Sequence, residues 1–156
     1  MKPGIYTQNY VQIIFAVKNR EAALSRNIRP RVFSYMSGII TSLKHKSIIV
    51  NGMADHVHIL LGLHPSVSIS DTVHDVKRST SLFINKEKLC HGKFNWQEGY
   101  GSFTYSRSQL DRVYNYINCQ EKHHLKYSFK REYLDFLEKF GIEYNNLYLF
   151  DFWDNA

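Results

Sequence analysis

Cysteine is scarce: Cys90 and Cys119 are the only two in 156 residues, too few for a disulfide framework and compatible with a reducing compartment. No stretch approaches the roughly 20 consecutive apolar residues of a membrane span. The opening Met1-Lys2-Pro3-Gly4 lacks the apolar core of a signal peptide. A soluble, cytoplasmic chain is the expectation. No repeat, low-complexity tract or long linker divides it, and its length fits one compact domain over residues 1–156. Acidic residues are also in deficit, 14 against 20 Lys and Arg, which leaves a net charge of +6. The basic residues cluster at Arg26/Arg29/Arg31, Lys44/Lys46, Lys77/Arg78, Lys86/Lys88 and Lys122/Lys126/Lys130/Arg131, a balance that favours a polyanionic partner. With 11 Tyr, 10 Phe and 2 Trp, rings are available to stack on unpaired bases. The same composition also suits a solvated surface over an aromatic core, so composition by itself leaves nucleic-acid binding open.

Periodicity supplies the elements. Tyr10 to Val17 is rich in β-formers and reads as a strand ended by Lys18-Asn19-Arg20. From Ile28 to about Lys44, Val32, Phe33, Met36, Ile39, Ile40 and Leu43 recur at helical spacing, with Asn27 as the expected cap and Pro30 in the first turn. Ser47 to Val50 is a short strand, Asn51-Gly52 a turn signal, and His56 to Leu63 a second apolar run of strand length. After His64-Pro65, Ser70 is expected to cap a helix that buries Val73, Val76, Thr80 and Phe83. Cys90 to Gly101 reads as a loop and Ser102 to Tyr105 as a strand. Ser106 and Gln109 form a capping-box pattern before a helix burying Leu110, Val113 and Ile117. A last amphipathic helix from Phe129 to Phe140 stops at Gly141, followed by an aromatic, acidic tail. This order predicts an α+β fold, a ferredoxin-like or RRM-like antiparallel sheet with helices packed on one face.

Chemistry concentrates at His56-Val57-His58. Residues two apart on a strand share a face, so the two imidazoles stand about 7 Å apart at Cα and can converge on one ion, while Val57 points into the core. Tyr116 and Gln120 share a helix face and border the apolar stripe, where they can bring a phenol and an amide carbonyl to a cleft. Tyr114, paired with Asn118, is the rival phenol on the other border. Asp55 can orient a histidine or close the preceding turn. Cys90, His91, Cys119 and His123 or His124 make an irregularly spaced alternative metal set.

Asp55-His56-Val57-His58-Ile59-Leu60, Tyr116-Ile117-Asn118-Cys119-Gln120, Trp96-Gln97-Glu98-Gly99-Tyr100-Gly101-Ser102-Phe103 and Lys77-Arg78-Ser79-Thr80-Ser81 together resemble the HUH single-tyrosine transposases of the IS200/IS605 type. The resemblance covers most of the chain. It implies an HUH-endonuclease fold and cleavage and rejoining of single-stranded DNA at insertion-sequence ends. Tyr116 would be the nucleophile that forms a 5′-phosphotyrosine, and His56, His58 and Gln120 the ligands of a divalent ion, Mg²⁺ or Mn²⁺. Lys77 and Arg78 are expected to contact DNA phosphates. The resemblance further implies hairpin DNA as partner and a homodimer whose subunits share active sites. A binding protein for single-stranded or hairpin DNA, without chemistry, is the alternative.

Overall fold

The computed structural model describes residues 3–153. Four strands, β1 (Tyr10–Ala16), β2 (Lys46–Gly52), β3 (His56–Gly62) and β4 (Gly101–Tyr105), form one antiparallel sheet in the order β2-β3-β1-β4. The strands alternate with α1 (Arg29–Ser42) and α2 (Ile69–Lys86); α3 (Leu110–Asn118), α4 (Gln120–His123) and α5 (Phe129–Lys139) follow. The βαββαβ order with β1 and β3 at the centre is the expected ferredoxin-like arrangement.

Helices cover both faces of the sheet, a correction to the expectation of one. Side chains alternate across the pleat, so Val11, Ile13, Phe15, Val57, Ile59 and Leu61 form one buried layer, packed with Val32, Met36, Val73 and Val76 of α1 and α2. The opposite layer contains Gln12, Ile14, His56, His58 and Leu60, with His58 directly across from Ile14 and His56 from Ala16. There α3 seats Val113 and Ile117 on Leu60, and α5 stacks Phe136 on Phe103. This second layer buries both histidines completely.

Several boundaries move for local reasons. The side chain of Asn27 accepts from Ser25 Oγ at 2.6 Å, and Ile28 occupies the start of α1 without a side-chain cap. Ser68, not Ser70, caps α2 by accepting from the Asp71 N–H. Ile84 takes the core position expected for Phe83, whose ring stacks on Tyr35 at the rim. Asn51 and Gly52 stay within β2, and the connection turns over residues 53–55. The Ser106–Gln109 capping box forms as expected, opening a 3-10 turn that leads into α3. Gly141 follows α5 at φ +65°, the left-handed conformation that a helix-ending glycine supplies without steric cost.

Candidate active site

The site begins on β3. His56 Nδ1 lies 2.7 Å from Asp55 Oδ1, which favours the orienting role for that carboxylate and turns His56 Nε2 inward. Phe129 stacks flat on the ring at 4.0 Å. His58 is held from the neighbouring strand, where Gln12 Nε2 stands 2.8 Å from its Nδ1 and the Tyr105 hydroxyl donates to Gln12 Oε1 at 2.6 Å. Both imidazoles are thereby fixed with their Nε2 atoms toward the C-terminal helices.

Tyr116 and Gln120 arrive from above, although not on one regular helix: the chain breaks between α3 and α4 at Cys119. The break leaves Gln120 fully buried, with its Oε1 3.0 Å from His56 Nε2 and 3.0 Å from His124 Nε2. The Tyr116 ring stands edge-on to His58 of the same chain at 6.1 Å between centroids. Tyr114 is exposed on the other side of α3.

Glu132 of α5, which sequence spacing did not single out, occupies the middle. Its Oε1 lies 3.0 Å from His58 Nε2, 3.4 Å from His56 Nε2 and 3.3 Å from His124 Nε2. Its Oε2 accepts a short hydrogen bond from the Tyr116 hydroxyl and another from Gln120 Nε2 at 3.2 Å, with His123 Nε2 at 3.3 Å. A signal for it existed. Phe129, Tyr133, Phe136, Leu137 and Phe140 form a helical apolar stripe, and Glu132 interrupts that stripe with a charge, which a core tolerates only when it is paired.

The electrostatics follow from burial and this pairing. Desolvation opposes a charge on Glu132, but the surrounding imidazoles outweigh it and hold the carboxyl well below the usual range. Desolvation also opposes a charge on His56; Asp55 and Glu132 overcome it and raise the imidazole to about 9. His58 is pulled down by its burial. Burial, then the adjacent Glu132 carboxylate, pushes the Tyr116 phenol far above the tyrosine range, so in this arrangement the proton stays on oxygen.

His56, His58 and Glu132 offer three ligand atoms within 4.8 Å of one another, and the amide oxygen of Gln120 adjoins them. The donor set suits a divalent cation. With His56 Nδ1–H committed to Asp55, the lone pair of Nε2 would face the oxygens of Gln120 and Glu132, an arrangement that needs a second proton or a metal ion between them. Donor atoms 3.0 to 3.4 Å apart are close enough for one divalent cation to lie between them. His123, His124 and Glu132 make a second such group. Among the described residues the two cysteines join no group of this kind: Cys119 is exposed and Cys90 half-buried.

Lys77 departs from the picture of a free phosphate contact. Its Nζ donates to the carbonyls of Gln97 and Gly99 at 2.8 and 2.7 Å and lies over the Phe15 ring, and burial lowers it to about 8. Arg78 beside it is exposed. The segment that Lys77 anchors has its own structural task. Gln97 brackets the Asp151 backbone, accepting its N–H at 2.7 Å and donating to its carbonyl at 2.9 Å. Phe150 and Phe152, on either side of Asp151, pack against Phe129 of α5.

Comparison with known proteins agrees with this architecture. Residues 5–120 match the family model "Transposase IS200 like". The ISDra2 transposase TnpA of Deinococcus radiodurans is 29% identical over 129 residues, covering 77% of this chain and 91% of that protein. A crystal structure of a protein assigned as a transposase from D. radiodurans R1 superposes with a TM-score of 0.59 at 24% identity, over 77% of this chain and 96% of that one. A REP-associated tyrosine transposase bound to a REP hairpin superposes with a TM-score of 0.58 at 11% identity, over 80% and 73%. The match over residues 5–120 takes in both histidines, Tyr116 and Gln120, and the chain belongs to the IS200-like transposase family of IS200/IS605 single-tyrosine enzymes.

Proposed function

We propose that this transposase cuts and rejoins single-stranded DNA at the ends of an insertion sequence, with Tyr116 as nucleophile and His56, His58, Gln120 and Glu132 as the residues that hold a divalent ion. The convergence of a phenol, two imidazoles, an amide and a carboxylate around one buried point supports this reading. In the proposed step Tyr116 Oη attacks phosphorus; a tyrosyl ester bond forms and the bond to the 3′ oxygen breaks, so the strand leaves with a 3′-hydroxyl after gaining a proton. As the bond to phosphorus forms, the tyrosyl proton leaves along its hydrogen bond to Glu132 Oε2 and is passed on to the departing 3′ oxygen. When bound, a divalent ion, Mg²⁺ or Mn²⁺ as the family resemblance implies, neutralises charge on the phosphate oxygens. The phosphotyrosine retains the energy of the broken linkage, and joining is the reverse attack by a 3′-hydroxyl.

Hairpin recognition is carried over from the REP-bound neighbour as part of this proposal, and Arg78 is proposed as a phosphate contact, with Lys77 acting as a strut for residues 96–101. We assign the chemistry to one chain acting as one domain in the cytoplasm. A homodimer that exchanged tyrosine helices would have to release the contacts Tyr116 and Gln120 make within their own chain, so association of two chains is not required to complete a site.

The test incubates labelled single-stranded oligonucleotides carrying hairpins with the protein and Mg²⁺ or Mn²⁺. A covalent adduct that is absent in Tyr116→Phe is expected. Binding by the parent chain without any adduct would favour the non-catalytic hairpin-binding alternative.

A further inference from the structure

A cleft of about 370 Å³ opens between α3 and α5, with Tyr116 and Glu132 in its wall. Two helices line it with cations for reasons of periodicity. Arg112 lies one turn before Tyr116 on the same face of α3, and Arg131 and Lys139 lie two turns apart on one face of α5. Asp135 stands between the latter two, yet among the described residues none of the three cations forms an ion pair. Unpaired cations that line a concave surface attract an anion, and the walls of a cleft concentrate their field.

Planar groups continue the path inward. The Arg131 guanidinium lies over the Tyr127 ring at 5.1 Å, Tyr127 stacks on His123 at 5.2 Å, and His123 meets the Tyr116 ring at 5.1 Å. Tyr127 is 40% exposed, so a base that displaced the guanidinium from its face would free Arg131 for a phosphate. Alternating cations and stacking surfaces are what an unpaired polynucleotide needs, because stacking requires no particular base.

We infer that this cleft is the channel along which the single strand reaches Tyr116, with Arg112, Arg131 and Lys139 on the backbone phosphates and Tyr127 stacking a base. The inference rests on the functional reading above and adds the route of the strand and the residues that hold it. The α3 wall of the channel falls within the family match over residues 5–120, and the α5 wall lies beyond it.

Equilibrium binding of a fluorescein-labelled oligothymidylate, measured by fluorescence anisotropy in EDTA, tests it without chemistry. Arg112→Glu/Arg131→Glu should bind at least tenfold more weakly. The slope of log affinity against log salt should flatten by about 1.4, because each phosphate left without its cation removes about 0.7 from the slope on a single strand. The milder Arg112→Gln/Arg131→Gln should move both quantities the same way. Lys86→Glu, at the exposed end of α2 across the sheet, should weaken binding less than threefold. Undiminished binding and an unchanged slope in both double variants would overturn the channel alone. Failure of the parent chain to bind the oligonucleotide would overturn the channel and the functional reading together.

Discussion

His45 makes the fold sensitive to a fall in pH. It is buried just before β2, its Nδ1 accepts from the His64 N–H at 2.9 Å, and its Nε2 stands 2.8 Å from Thr72 Oγ1. Burial, reinforced by the nearby His64, lowers its pKa below the ordinary 6.5. A proton on Nδ1 would remove the acceptor that the His64 amide uses. The folded pKa lies below the unfolded one, so the unfolded chain binds more protons in the window between them, and stability rises with pH there. As pH falls from about 7.5 to about 5.5 the parent should lose urea stability more steeply than His45→Gln, each measured in EDTA. Parallel slopes for the two proteins would refute the assignment. At this scale the sequence displayed the two histidines through their spacing, because the strand period puts residues two apart on one face, and it named Tyr116 and Gln120, although the helix that joins them is broken. Glu132 was less legible: its partners come from β3, α3 and α4, and only its place inside an apolar stripe hinted that those partners exist.

The hairpin of β2 and β3 shows how an element sets the position of a proposed ligand. Gly52 closes β2 opposite Val57, and a Cβ built there would lie 2.3 Å from the His56 carbonyl oxygen and 2.8 Å from Val57 Cα. Both obstacles are backbone and cannot rotate away. Gly52→Ala should therefore cost about 1–3 kcal/mol, as overpacking does, and should weaken Mn²⁺ binding by calorimetry because relief of the clash moves His56. An unchanged melting temperature together with unchanged Mn²⁺ affinity would show that the hairpin yields freely. Helix periods and the glycine after α5 were readable because each depends on neighbours within a turn or two. The break at Cys119 was not: Gln120 leaves the regular helix to reach His56, a partner 64 positions away. Coverage of both sheet faces was equally hidden, since β1 and β3 are nearly apolar throughout and such runs do not reveal which helix lies on which side.

The molecule as a whole brings these parts together within a single chain. Residues 96–101 are tied to α2 through Lys77, Gln97 clasps the backbone at Asp151, and Phe150 and Phe152 press on Phe129. The tail thereby supports the helix that supplies Glu132, and Glu132 holds Tyr116 against the histidines of its own chain. This closure makes complementation a discriminating experiment. His56→Ala lacks a proposed ligand but keeps Tyr116, while Tyr116→Phe keeps every proposed ligand but lacks the proposed nucleophile. If each chain builds its own site, a mixture of the two variants contains no complete site and should form no more covalent adduct than either alone. If the tyrosine helix passes between subunits, mixed dimers reunite an intact histidine pair with an intact phenol at one of their two sites. With random pairing of equal amounts, about half the dimers would be mixed, and activity would return to about a quarter of the parent level. Adduct yield from the mixture, compared with the parent at equal total protein after time for exchange, decides the matter. The contacts Tyr116 and Gln120 make within their own chain lead us to expect no recovery.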